Sequence, residues 1–191
     1  MNPVDPSPPR RKPPSLGAPS APGDSGDRKS ALDRLLAYRV LLTLTLVILA
    51  LDQLTKAWIA ARLPFPTYGD PGGAIPIVKG FFYLVHVGNT GAAWSMFSGQ
   101  SVMLAVLAAA TLVAIWFWRS ALHLRERLPQ IAFGLLCGGI VGNLLDRLRH
   151  GHVVDFVDLH FGTYIYPTFN VADSGICVGV FLYLWQSLRE H

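Results

Sequence analysis

Residues 129–148 read PQIAFGLLCGGIVGNLLDRL, an apolar run of about the length that crosses a bilayer as a helix. Its only charged residues, Asp146 and Arg147, stand together near one end. Of the 191 residues, 51% are hydrophobic and 15% are charged, whereas a soluble domain carries about 25% charged residues. Three similar runs lie at residues 38–61, 101–118 and 169–188. The sequence therefore predicts an all-α integral membrane protein, a bundle of four transmembrane helices.

Residues 1–36 differ from the rest of the chain because they are rich in Pro, Ser, Gly and basic residues. Such a composition cannot bury enough apolar surface to fold. We therefore expect a disordered tail, followed by a membrane domain over residues 37–191. The run at 38–61 ends in small residues, as a signal peptide does. It exceeds the 7–15-residue core of a signal peptide and carries Asp52 and Lys56, which favours a retained helix.

Most of the basic residues outside the runs fall in segments that share one side when four helices alternate. They lie in the tail, in the link after the second run (Arg119, Arg125, Arg127) and at Arg189. The positive-inside rule places these segments, and with them both termini, in the cytoplasm. Residues 62–100 and 149–168 are then periplasmic. Within the first of these, residues 75–87 are dense in β-forming residues, which predicts a small periplasmic β-sheet element between helices 1 and 2.

Polar residues gather where the four runs reach the predicted outer face. Because polar groups in a membrane are costly and usually functional, their convergence predicts a site near the outer interface. The residues are Asp52 and Lys56 on helix 1, Asn143, Asp146 and Arg147 on helix 3, Asn170 and Asp173 on helix 4, and Asn89 and Asp155 in the outer segments.

Four short blocks carry a family resemblance. They are residues 52–56 (DQLTK), 89–95 (NTGAAWS), 142–156 (GNLLDR and GHVVDF, joined by LRH) and 169–174 (FNVADS). In this order and topology they resemble signal peptidase II, an aspartic peptidase family of the bacterial inner membrane. One departure is Gly88, which stands where a basic residue often precedes the Asn.

The resemblance implies a catalytic pair, Asp155 and Asp173. It also implies substrate-binding or supporting roles for Asp52, Lys56, Asn89, Gly139, Asn143, Asp146, Arg147 and Asn170. The substrate would be a prolipoprotein with a diacylglyceryl-modified cysteine, cleaved on the amino side of that cysteine. Membrane lipid and globomycin-type inhibitors are further implied partners. We expect no cofactor, no metal and no nucleic acid, and a monomeric chain.

Two carboxylates that share one proton can activate water and protonate a carbonyl oxygen, because like charges a few ångströms apart cannot both ionise. Simpler roles exist for several of these residues. In these alternatives Asp173 caps its helix, Asp52 and Lys56 only neutralise each other, and Asn89 only shapes a turn. Arg147 either snorkels to the interface or pairs with Asp146 or a site aspartate to hold loops.

Other protein classes fit less well. A proton-relay transporter would place its polar residues near the bilayer midplane on repeated, broken helices. A presenilin- or prepilin-type protease would carry a G-x-G-D motif, which the sequence lacks. A pure assembly factor would not need paired aspartates. A metal site formed by His150, His152 and His160 with nearby aspartates matches no compact zinc spacing.

Overall fold

The computed structural model of the protein describes residues 36–67, 73–92 and 96–189. The predicted disordered tail lies outside the described residues, apart from Leu36. In chain order the elements are α1 (Arg39–Arg62), β1 (Ile75–Val78), β2 (Phe82–Asn89), α2 (Ser101–Phe117), α3 (Arg127–His150), β3 (Val153–Phe161), β4 (Tyr164–Ile165) and α4 (Val171–Arg189).

Three of the four predicted helices are long and apolar enough to cross a membrane: α1, α3 and α4. The fourth, α2, is also apolar but has 17 residues. At 1.5 Å per residue it spans about 25 Å, slightly less than a typical hydrocarbon core. The chain continues in helical turns beyond it, since the Leu122 N–H donates to the Trp118 carbonyl at 2.9 Å. A fourth crossing therefore stays a prediction.

The helix α3 packs between α1 and α4, and small residues let the three backbones approach closely. A Cβ at Gly134 or Gly138 would lie 2.8 Å from the Cβ of Leu44 or Ile48 on α1. A Cβ at Gly139 would instead press on the backbone of Ala172 on α4. This agrees with the packing that small residues four apart allow in membrane helices.

The predicted sheet is present, but it extends beyond the predicted segment. It has four antiparallel strands in the order β1-β2-β3-β4, and the last two come from between α3 and α4. The strand β3 was not predicted, although part of its sequence, VVDFVDLHF, alternates apolar and polar residues as a half-buried strand does. In the register, Val87 pairs with Asp155 and Asn89 with Val153. The strand β3 thus places Asp155 beside β2.

The sheet rests on the end of α1 that follows Asp52 and Lys56. A buried cluster joins Ile59 and Leu63 to Val154 and Phe156 of β3. The segment after α1 is tied to β2 as well, because the Nδ1 atom of His86 lies 3.1 Å from the Leu63 carbonyl oxygen. The packing fixes the sheet against the helices, so Asp155 has a defined position relative to the bundle.

Candidate active site

Asp155 is almost fully buried, with 1% of its surface exposed, although it lies on a strand outside the helices. Its Oδ1 accepts a hydrogen bond from Asn170 Nδ2 at 2.7 Å, and its Oδ2 accepts one from Asn89 Nδ2 at 3.0 Å. Burial, followed by the negative charge of Asp173, raises the pKa of Asp155 to about 7. At neutral pH this carboxyl group can therefore both hold and release a proton.

Asp173 lies in the first turn of α4 and is half-buried. Its Oδ2 accepts the backbone N–H of Asn170 at 3.2 Å, and its own N–H donates to Asn170 Oδ1 at 2.9 Å. This reciprocal pair is a capping box, so the capping alternative for Asp173 holds. It does not separate Asp173 from Asp155, because Asn170 binds Asp173 through its backbone and Asp155 through its amide. Asn170 thus contacts both of the predicted catalytic carboxylates.

Lys56 is buried behind this pair, with 4% of its side chain exposed. Its ammonium group lies 2.8 Å from a carboxylate oxygen of Asp52 and 2.8 Å from one of Asp146. It also donates to Asn143 Oδ1 at 3.0 Å, and Asn143 Nδ2 donates to Asp173 Oδ1 at 2.8 Å. The lysine therefore binds one aspartate on each of two helices and is connected to the site through Asn143. It does more than neutralise Asp52, which was the simpler alternative from the sequence.

Asp52 and Asp146 each bind the backbone next to one candidate catalytic residue. Asp52 Oδ1 accepts the N–H of Ala172 at 3.0 Å, one residue before Asp173. Asp146 Oδ2 accepts the N–H of Val154 at 3.2 Å, one residue before Asp155. The same lysine holds both acids. This geometry fixes the two chain segments that carry the carboxylate pair.

Sequence reasoning missed Gln53, which joins the same network. Its Nε2 donates to Asp146 Oδ1 at 3.0 Å and to Asp52 Oδ2 at 3.2 Å, and Arg149 donates to its Oε1 at 3.2 Å. The available signal was a second polar residue directly after Asp52 in an apolar helix. It also missed Gly142, where a Cβ would lie 2.5 Å from Asp52 Oδ2.

Arg147 has a different partner from the one expected. Among the described residues it forms no ion pair with a carboxylate, whereas pairing with Asp146 or a site aspartate was one alternative. Its Nη2 donates to the carbonyl of Gly91 at 2.9 Å. Asn89 shapes the same turn, because its Oδ1 accepts the N–H of Gly91 at 2.9 Å while its Nδ2 binds Asp155. Both residues therefore hold the segment after β2 against the site. Gly139 touches α4 rather than the carboxylates.

The histidines considered as metal ligands have other contacts. His160 Nε2 lies 2.8 Å from Asp158 Oδ2, and His152 stacks on Phe65 with ring centroids 5.3 Å apart. Over residues 36–67, 73–92 and 96–189, no three His, Cys, Asp or Glu side chains form a group that would hold a metal ion. Gly88 leaves room for this stack, because a Cβ there would lie 2.8 Å from His152 Cδ2.

Known proteins share both the sequence and the fold. The profile of the family described as Signal peptidase (SPase) II matches residues 44–189. A lipoprotein signal peptidase of Azoarcus sp. (strain BH72) is 44% identical over 151 residues, 78% of this chain and 82% of that protein. One from Bacillus subtilis (strain 168) is 37% identical over 147 residues, 77% of this chain and 92% of that protein.

Two solved structures are similar as well. A bacterial membrane enzyme determined by the in meso method at 2.3 Å resolution superposes with a TM-score of 0.70 at 29% identity, covering 78% of this chain and 88% of that one. A second, at 1.9 Å resolution, gives a TM-score of 0.62 at 28% identity, covering 79% and 94%. With the family profile spanning all three long helices and the sheet, the chain belongs to the signal peptidase II family of bacterial membrane peptidases.

Proposed function

We propose that this protein is an aspartic endopeptidase that removes the signal peptide from diacylglyceryl-modified prolipoproteins, cutting on the amino side of the lipidated cysteine. The observation that carries the proposal is the pair of carboxylates that share Asn170, one buried with a pKa of about 7 and one half-buried. A peptidase that uses neither a covalent intermediate nor a metal needs one group that accepts a proton and one that donates a proton, and two carboxylates that share one proton supply both.

In the proposed mechanism a water molecule lies between Asp155 and Asp173, which together hold one proton. The ionised carboxylate accepts a proton from the water while the water oxygen attacks the scissile carbonyl carbon. The protonated carboxyl group donates its proton to the carbonyl oxygen. The resulting tetrahedral diol then collapses: the ionised carboxylate accepts a proton from one hydroxyl group, the other carboxyl group donates its proton to the amine nitrogen, and the C–N bond breaks. The pair is left with one proton, as at the start. The pair titrates as a unit, so acid and base are roles of the pair.

The surrounding residues keep the two carboxylates in place. Lys56 and its two aspartates fix the backbone beside each catalytic residue, while Asn170 and Asn143 donate to the carboxylates directly. Arg147 and Asn89 hold the turn at Gly91. Such a supporting set orients the reacting groups before substrate binds, which is a large part of catalysis by positioning.

We further propose that α2 is the fourth membrane crossing. Both termini are then cytoplasmic in the bacterial inner membrane, and the site lies near the periplasmic face. The excess of Arg between α2 and α3 and at the end of α4 supports this orientation. A site at that depth meets the lipid chains and the scissile peptide bond of one substrate together. The same cleft would accept a globomycin-type cyclic peptide, and the chain would act as a monomer.

The test is cleavage of a diacylglyceryl-modified precursor by the purified full chain in detergent or lipid, with the unmodified precursor as the substrate control. We expect Asp155→Asn and Asp173→Asn each to lower the rate at least ~10³-fold, within the range for general acid–base groups. Asp158→Asn is the matched control, because Asp158 is a buried aspartate on the same strand but outside the pair.

Substantial turnover by the Asp155→Asn or Asp173→Asn variant would overturn the assignment of these two residues as the catalytic pair. An equal loss of activity in the Asp158→Asn control would overturn it as well. Equal cleavage of the unmodified precursor would overturn the substrate assignment. EDTA should leave the rate unchanged, and a loss of activity on chelation would point to metal chemistry instead.

A further inference from the structure

A cavity of about 540 Å³ opens at the end of the bundle remote from the aspartates, where α1 begins and α3 begins. Arg39, Arg125 and Arg127 line it, together with Val40 and Gln130. Arg39 stands roughly 20 Å from Asp52 along α1, at 1.5 Å per residue. The cavity is therefore separate from the site described above.

Gln130 builds the wall of this cavity. It is 5% exposed, and its Oε1 accepts the backbone N–H groups of Val40 at 3.2 Å and Leu41 at 3.4 Å. Its Nε2 donates to the carbonyls of Ala37 at 2.8 Å and Arg125 at 3.3 Å. One buried amide thus joins the start of α1 to the segment before α3, which fixes the chain segments that carry the arginines around a common space.

The three arginines have no acidic partner within the described ranges, because none of the ion pairs there involves them. The nearby acid Glu126 lies 3.4 Å from His123 instead. Three exposed guanidinium groups in one cavity, next to the N-terminus of α1, make a strongly positive place that favours a multivalent anion. A phosphate group is an anion whose geometry the planar guanidinium donors match with two hydrogen bonds at once.

A second hollow of about 520 Å³ adjoins the first and shares Arg39, Val40 and Arg127 with it. Its other lining residues are Thr43, Leu44 and Ile131, on the lengths of α1 and α3 that lead into the apolar part of the bundle. A ligand that fills both hollows needs an anionic end and an apolar end. A soluble phosphate would leave the second hollow unused.

We propose that these two hollows form a binding site for one anionic phospholipid, with its phosphate among the three arginines and an acyl chain along the groove beside Leu44 and Ile131. Basic pockets between membrane helices bind anionic head groups in this way. In the orientation proposed above, the lipid belongs to the cytoplasmic leaflet, opposite the peptidase site. The inference rests on the cavity and its charges, so it stands or falls independently of the aspartate pair.

The experiment is native mass spectrometry of the purified full chain released from neutral detergent micelles, titrated with phosphatidylglycerol. The test variant is Arg39→Gln/Arg125→Gln/Arg127→Gln. We expect about fivefold weaker binding per arginine removed, and therefore roughly 125-fold weaker binding for the triple variant. The matched control removes three other arginines, Arg62, Arg119 and Arg189, each of which stacks on a tryptophan ring outside the cavity. The control should bind as the unchanged protein does.

Unchanged phosphatidylglycerol binding by the triple variant would overturn the site, as would an equal loss in the control. Phosphatidylcholine binding as tightly as phosphatidylglycerol would overturn the anionic specificity. Displacement by glycerol 3-phosphate at the concentration of the lipid itself would show that the acyl groove contributes nothing. Helicity and elution volume report whether the triple variant folds; if it does not, the three single variants are titrated and judged by the same fivefold expectation.

Discussion

Replacing Lys56 by Met removes the only cation that contacts Asp52 and Asp146 within the described residues, while nearly keeping the side-chain volume. Both acids are buried, at 0% and 3% exposure, so neither can turn to water. The variant therefore leaves two buried carboxylates side by side without the cation that neutralises them.

The loss of that cation sets the magnitude. Removal of one partner from a buried ion pair costs about 3–5 kcal/mol in measured cases, because the remaining charge is buried without compensation. We therefore expect Lys56→Met to lower the free energy of unfolding at pH 7 by about 4 kcal/mol.

The assay is reversible unfolding of the purified chain in mixed detergent micelles by SDS at pH 7, followed by helicity. Lys79→Met is the control, because Lys79 is exposed at the turn between β1 and β2. We expect it to change the free energy of unfolding by about 0.5 kcal/mol or less. A loss below about 1 kcal/mol for Lys56→Met, or an equal loss for Lys79→Met, would refute this account of the cluster.

Three further predictions concern the site itself. Burial and a neighbouring charge raise the pKa of Asp155 from 3.8 to about 7, so this group stabilises the fold less as pH rises from about 4 to about 7, which the pH profile of unfolding checks. Peptidase activity should fall above pH ~7, because the shared proton is lost. A turnover profile that is flat from pH ~6 to ~9 would contradict the assignment. Gly142→Ala should lower the free energy of unfolding by about 1–3 kcal/mol, since a Cβ there would lie 2.5 Å from Asp52 Oδ2. Gly175→Ala should lower it less, because the nearest contact of its Cβ would be 3.1 Å away. A larger loss for Gly175→Ala than for Gly142→Ala in the same SDS unfolding would be inconsistent with the packing. Asn170→Ser should keep the helix cap but lower the rate of cleavage ~10–150-fold, because the hydroxyl can replace the capping oxygen but not the amide that donates to Asp155. Asn170→Ala should lower both the rate and the free energy of unfolding, because it also loses the cap. Equal free energies of unfolding for the two variants would argue against the cap.

Hydropathy predicted the long helices closely, because a long apolar run can be recognised from composition alone. The third run, predicted at residues 129–148, is the helix Arg127–His150, and the first, predicted at 38–61, is Arg39–Arg62. The strand Val153–Phe161 was not predicted. Its polar residues interrupt the apolar pattern, and its partner strand lies some 70 residues earlier, so only the folded chain reveals the pairing.

The sequence predicted which polar residues lie together near one end of the bundle, but not which of them contact each other. Elementary chemistry indicated a polar site at one membrane face, and the family resemblance selected Asp155 and Asp173 from it. Sequence could not show that Asn170 joins the two, nor that Gln53 takes part, because hydrogen bonds between segments depend on three-dimensional geometry. Gln130 was missed for the same reason: its four backbone contacts lie in a part of the chain with no motif.

The ladder between β2 and β3 has a consequence for inhibitors. Val87 pairs with Asp155 across that ladder, and Asn89 at the end of β2 donates to the same carboxylate. Displacing the hairpin of β1 and β2 would therefore also move β3, which carries Asp155, or break the hydrogen bonds between β2 and β3. In the proposed mechanism, a compound that displaced this hairpin would misplace the Asp155 carboxylate and lower activity without binding in the substrate cleft.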